Sequence, residues 1–115
     1  MTSDCLFCRI IAGEIPSTSV YQDDDVFAFR DINPAAPTHV LVIPKAHING
    51  ISEADDSQQA LLGKLMIRAK HIAKELGLAE DGYRLVINNG EQGGQTVYHL
   101  HLHILGGRNM TWPPG

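Results

Sequence analysis

The chain is poor in cysteine, in long apolar runs and in concentrated positive charge, and each shortage removes a class of protein. Two cysteines among 115 residues cannot build the disulfide framework of a small secreted module. No apolar run approaches the ~18 residues a membrane span requires. Asp4 stands ahead of the first apolar stretch, where a secretory leader would carry basic residues. The expectation is a cytoplasmic protein with no membrane partner. Nine Lys and Arg face 13 Asp and Glu, giving −4 with histidine neutral, and there is no basic block. Nucleic acid is therefore not an expected partner. Repeats, low-complexity tracts and linkers are missing too, so residues 1–115 read as one domain. What stands out instead is six histidines.

Hydrophobic periodicity predicts the elements. Ser3 and Asp4 can cap a short helix over residues 5–12, which Gly13 ends and Pro16 keeps from resuming. β-Branched and aromatic residues at 19–21 and 26–30 flank the acidic run 23–25, a hairpin signal with a solvated turn. Two prolines make 31–37 a loop, and 39–43 is an apolar strand. Leu61, Leu62, Leu65, Ala69, Ile72, Ala73 and Leu76 recur at helical spacing, predicting one amphipathic helix over about 54–76. Ser52 to Asp55 resembles a capping box, Gly77 suits the position just past the helix, and Gly63 is read as a point of close packing. Residues 83–88 and 97–105 complete the strands, with the glycine-rich loop 89–94 between them. The fold class expected is α+β: a five-stranded, mainly antiparallel sheet with one short N-terminal helix and one long amphipathic helix.

Residues 97–105, Val-Tyr-His-Leu-His-Leu-His-Ile-Leu, alternate strictly. On a strand this sets His99, His101 and His103 on one face, and Leu100, Leu102 and Ile104 on the other, against the long helix. Same-face neighbours lie about 6.7 Å apart, so all three imidazoles converging on one zinc would be strained. The alternative divides the labour, with a central histidine acting on substrate while its neighbours serve other centres. Neutral imidazole is a competent nucleophile toward phosphorus, and the nearby glycine-rich loop can offer N–H groups to phosphate. The second arrangement is the better reading.

His-Leu-His-Leu-His-Ile-Leu resembles the signature of the histidine triad family. Gly-Gly-Gln-Thr-Val-Tyr before it, Leu-Gly-Gly-Arg after it and the terminal Trp-Pro-Pro-Gly are similar to the Hint branch. So are Asp-Ile-Asn-Pro-Ala-Ala-Pro-Thr-His at 31–39 and Val-Ile-Pro-Lys-Ala-His-Ile at 42–48. The resemblance spans nearly the whole chain. It implies a homodimer with one continuous sheet that binds purine nucleotides and hydrolyses nucleoside phosphoramidates such as AMP joined to an amine. It implies that His101 is the nucleophile, that His103 contacts phosphate and leaving group, and that His39 supports the triad. Asn88, Thr96 and Gly94 match phosphate-site positions, Asp31 the ribose-binding carboxylate, and Phe7, Ile11, Ile15 and Ile32 the wall around the base. Within the same family, dinucleoside polyphosphate hydrolysis and nucleotidyl transfer use the same triad, and a nucleotide-binding module with incidental turnover is a third reading.

Cys5-x-x-Cys8 supplies half a tetrahedral zinc site. A thioredoxin-like role would need a βαβ context that this N-terminus lacks; the plainer alternative is two small buried hydrophobes. The resemblance implies that His47 and His99 complete a structural zinc site, which would fix His99 and the end of the catalytic strand. His71 reads as a surface residue on the long helix.

Overall fold

The computed structural model of the protein describes residues 4–115. Its elements in chain order are α1 (Leu6–Ile11), β1 (Ser19–Gln22), β2 (Val26–Arg30), β3 (Thr38–Pro44), α2 (Gln59–Glu75), β4 (Tyr83–Ile87) and β5 (Leu102–Gly106). One sheet runs β1-β2-β3-β5-β4 with every neighbouring pair antiparallel. Strand alternation sorts its faces. Val26, Ala28, Val40, Val42, Leu102 and Ile104 point to one side and are buried with Leu65, Ala69, Ile72 and Ala73 of α2. Phe27, Phe29, Leu41 and Ile43 point to the other and pack with Phe7 and Ile10 of α1. That second face is only partly roofed by the six-residue α1, and the pocket opens beside it.

The long helix begins later than its apolar periodicity implies. Two 3₁₀ turns, Ile51–Glu53 and Asp56–Gln58, precede it, with Ala54 extended between them. The capping box is formed by Asp55 and Gln58, not by Ser52 and Asp55: the Asp55 carboxylate accepts from Ser57 N at 2.9 Å, and Asp55 N donates to Gln58 Oε1 at 3.0 Å. At the far end Gly77, at φ +79°, donates to Lys74 O, and Leu78 donates to Ala73 O. This double bond is the Schellman closure, and its left-handed residue is the one that favours glycine. Gly63 is not a packing point within the chain, since a Cβ there would meet nothing within 4 Å.

Two further expectations are corrected. The acidic run is not a merely solvated turn: Lys64 Nζ reaches Asp25 at 2.7 Å and Arg68 Nε reaches Asp23 at 3.2 Å, tying the hairpin to α2. Residues 97–101 are not strand. The register sets Leu100 against Pro44, which has no N–H to give, and beyond it the chain turns away towards His47, so Leu100 N bonds Ile48 O at 2.7 Å outside the ladder. The aliphatic residues keep their side all the same, with Leu100, Leu102 and Ile104 in the α2 core.

Candidate active site

The three histidines part company where the ladder stops. His103, on β5, lies opposite Leu41 of β3, and His39 lies opposite Leu105; the two imidazoles are thus diagonal neighbours on one face. His101 and His103 stack edge-on, with ring centroids 4.9 Å apart. His99 turns the other way, fully buried, towards Cys5, Cys8 and His47.

Hydrogen bonds set the protonation pattern of the first group. Ala35 N–H donates to His39 Nδ1 at 3.0 Å, so the proton of His39 sits on Nε2. That proton points at His103 Nδ1, 2.9 Å away, so His103 carries its own proton on Nε2. His103 Nε2 is buried with no partner among the described residues. The chain of donors therefore ends in an N–H with nothing to give to. His101 donates from Nδ1 to His99 O at 2.8 Å, which leaves its Nε2 as a lone pair.

His39 and His103 are held neutral. Burial lowers His103 to about 4, helped by His101 and His39 and opposed by Asp31. Burial also lowers His39, with Asp31 opposing and His101 assisting. Asp31 Oδ2 lies 3.5 Å from His39 Nε2, and Asp31, His39 and His103 could be mistaken for a metal triad. The Ala35 amide argues otherwise, because it occupies His39 Nδ1 and keeps Nε2 protonated, where a metal would need a lone pair.

His101 and His103 line a cavity of about 290 Å³. Its walls are mostly apolar, from Leu6, Phe7, Ile10, Ile15, Phe29 and Leu41, with Arg30, Asp31, Asn33, Ser17 and Thr96 as the polar groups beside the two histidines. The sequence-predicted Phe7, Ile15, Ile32, Asp31 and Thr96 are all there, although Ile32 stands 89% exposed at the lip. Ile11 is not. Leu6 and Ile10, four apart on one helical stripe, face the cavity, while Ile11 lies one step round and packs at the flank of the apolar cluster. Asn88 follows the end of β4; one further register step sets it against His101, but it lines a neighbouring cavity with Arg84 and Leu105. Gly94 belongs to the loop, at φ +85°, and does not line the pocket. Beside it, a Cβ on Gly93 would run into the Asn89 backbone, which explains the paired glycines.

Sequence reasoning missed Leu6, Ile10, Phe29 and Leu41, although Phe29 and Leu41 are a cross-strand pair that alternation along β2 and β3 could have exposed. It also missed Gln95, buried, which receives Gly90 N and donates to Asn49 O and Val97 O, stitching the glycine-rich loop to the His47 loop. No local pattern marks such a residue.

The second group is a four-donor cluster. Cys5 Sγ and Cys8 Sγ lie 3.3 and 3.5 Å from His99 Nδ1, Cys8 Sγ lies 3.3 Å from His47 Nδ1, and the two Nδ1 atoms are 3.2 Å apart. In a tetrahedral zinc site, nitrogen donors are spaced ~3.3 Å and sulfur from nitrogen ~3.5 Å. The outward nitrogens confirm the fit: His99 Nε2 donates to Pro44 O at 2.8 Å and His47 Nε2 to Asn49 Oδ1 at 2.7 Å, so both rings turn lone pairs inward. Two facing lone pairs at that distance repel unless a cation lies between them. His99 is lowered to about 4 by burial, against the Pro44 carbonyl, with His47 and His101 adding to the shift. A closed set of two thiolates and two imidazoles could hold zinc as a structural ion.

An antiparallel α+β sheet carrying His39, His101 and His103 beside an apolar pocket, with His99 turned to a Cys–His cluster, defines a histidine triad fold. Residues 12–110 match the HIT domain, and the chain belongs to that family. It is similar to a 14 kDa zinc-binding protein of Zea mays, 56% identical over 115 aligned residues, covering 98% of this chain and 89% of that one. It is 53% identical to adenylylsulfatase HINT1 of Arabidopsis thaliana over 98% of this chain and 78% of the relative. The crystal structure of a HIT family hydrolase from Legionella pneumophila Philadelphia 1 superposes with a TM-score of 0.96 at 58% identity, covering 97% of this chain and all of that one.

Proposed function

We propose that this chain hydrolyses purine nucleoside 5′-phosphoramidates of the AMP–amine type through a nucleotidyl-histidine on His101, with aminoacyl-adenylates, which would release a carboxylate in place of an amine, as a further substrate class. The observation that carries the reading is the protonation pattern. His101, held by His99 O, offers a lone pair at Nε2 in the same cavity where His103 offers an unpartnered N–H. The purine lies against Phe7, Ile10 and Ile15, and Asp31 takes the ribose hydroxyls. Thr96 and His103 meet the phosphate oxygens. His101 Nε2 attacks the α-phosphorus, and the P–N bond breaks with its electrons on the amine, which takes up a proton. Water then cleaves the histidine–phosphorus bond. Zinc bound by Cys5, Cys8, His47 and His99 supplies a cross-link between α1, the His47 loop and the start of the triad.

The Arabidopsis relative's name favours adenylyl sulfate as a second substrate class, since the same attack on the α-phosphorus would release sulfate in place of an amine. Rapid quench with labelled AMP–amine conjugate and with labelled adenylyl sulfate, followed by peptide mapping, separates the two. The expected label is on residues 97–105, at His101. His101→Ala should still bind AMP and lose at least ~10³-fold in turnover, about 4 kcal/mol of barrier. Full activity in that variant would defeat the assignment.

A homodimer is part of the same reading. β4 leaves its outer edge unpaired among the described residues, and α2 turns Met66 and Ile67, each 47% exposed, away from the core. Both features suit burial against a second copy. A reducing compartment such as the cytoplasm suits the thiolate pair.

A further inference from the structure

Helix α1 serves two sites with interleaved residues. Cys5 and Cys8 enter the four-donor cluster, whereas Leu6, Phe7 and Ile10 wall the pocket. The Phe7 ring meets His101 edge-on at 5.1 Å and His99 at 6.0 Å. His99 joins the two sites a second time: its ring faces Cys5 Sγ, and its carbonyl holds the Nδ1 proton of His101. A helix of six residues has no stability of its own in water. Its position depends on the cluster at one end and on the packing of Phe7 and Ile10.

The two sulfurs are also set for a second chemistry. Both cysteines are half-buried, and Cys5 lines a shallow opening with Asp4, His47 and Tyr98, through which a small oxidant reaches it. Cys5 precedes the first helical residue, and Cys8 N–H already donates to Cys5 Sγ at 3.3 Å. The four donor atoms lie within 4.8 Å of one another. Closing a disulfide therefore takes a rotation at Cys5, outside the helix, rather than a change of fold.

We infer that Cys5 and Cys8 form an oxidisable pair that gates the nucleotide pocket, with peroxides as the class of oxidant. One thiolate attacks the peroxide O–O bond, giving a sulfenic acid and hydroxide. The second thiolate attacks that sulfur and expels the sulfenic oxygen as hydroxide. Two thiolates, one hydrogen peroxide and two protons become one disulfide and two waters. The cluster then keeps two donors of four and no longer holds α1 to His47 and His99. Phe7 leaves His101, and the purine wall opens. The effect on nucleotide rests on the proposed purine pocket; the effect on α1 does not.

The test uses the full chain purified with its zinc and titrated with hydrogen peroxide beside a chromogenic zinc chelator. Four quantities are read: zinc released, disulfide by peptide mass, hydrogen exchange of residues 5–12, and the Kd for AMP. The expected result is about one zinc per protomer released with the disulfide, faster exchange in residues 5–12, and AMP bound at least ~10-fold more weakly. Thiol reductant and zinc together should restore all of these. A Cys5→Ala/Cys8→Ala variant should bind AMP weakly from the outset and ignore peroxide; if it does not fold, the wild-type titration decides. Zinc release with exchange and AMP affinity both unchanged overturns the inference, as does retention of zinc and both thiols under peroxide. If the reduced, zinc-loaded protein does not bind AMP at all, the purine reading falls and exchange of residues 5–12 alone decides the gate.

Discussion

His39 accepts at one nitrogen and donates at the other, and this asymmetry propagates to His103. Burial favours the neutral form of both imidazoles, which gives the fold a pH dependence with a definite sign. Unfolded, each takes up a proton near the ordinary value of 6.5; folded, His103 does so only at about 4, and His39 also below 6.5. Between those values the unfolded chain binds more protons, so stability falls as pH drops from ~6.5 towards ~4 and flattens below. Urea titrations at pH 7.5 and pH 5 should show a lower midpoint at pH 5, with a smaller drop in His103→Gln. An unchanged drop in that variant would locate the effect elsewhere. At this scale the sequence was readable where types cluster in register: His99, His101 and His103 declare themselves by alternation. It was not readable where one helical step decides, as between Ile10 and Ile11, or where a buried side chain serves distant backbone, as Gln95 does.

Among the elements, α2 carries the clearest account of both success and failure. Its body follows from the spacing of Leu65, Ala69, Ile72 and Ala73, and its end from Gly77. Its start does not: Ala54 looks helical by propensity yet stays extended, and Asp55 caps the 3₁₀ turn Asp56–Gln58 that leads into α2 at Gln59. Asp55→Ala removes the acceptor for Ser57 N and should cost about 1 kcal/mol. A shift of the urea midpoint without a change in slope is the check, and no shift would deny the cap its role. The strand carrying the triad shows the converse case. Alternation gave the correct facing of every residue from Leu100 onward, but a ladder needs a partner, and Pro44 ends the partner's run. Pattern along a segment reports which way side chains turn; it does not report what lies alongside.

For the whole molecule, the four-donor cluster takes the place of core that a small α1 cannot supply. Chelation should lower the melting temperature more than it lowers the single-turnover rate of protein still folded, and metal analysis of protein purified without added zinc should find about one equivalent. Less than about a tenth of an equivalent, with both thiols titratable in the native state, would remove zinc from the account. The exposed pair Met66 and Ile67 lies on the same turn as Gly63, whose missing side chain costs helix propensity for no gain within one chain. A second protomer lying close along α2 would explain it. Sedimentation should give a dimer at micromolar concentration, and Met66→Lys should shift it towards monomer. A monomer with full activity would refute the pairing.

The donor sequence from Ala35 through His39 to His103 has one direction, and it ends in a buried N–H with no partner among the described residues, on a histidine that lines the pocket. Under the proposed function, occupants of the phosphate position would be sorted by what they accept rather than by charge alone. A phosphonate or sulfonyl oxygen placed there satisfies the buried proton. An amino group in the same place sets donor against donor and forfeits the bond, a penalty of about 1–3 kcal/mol. An inhibitor series that swaps one oxygen for an NH₂ would read the direction of this chain without any spectroscopy of protons.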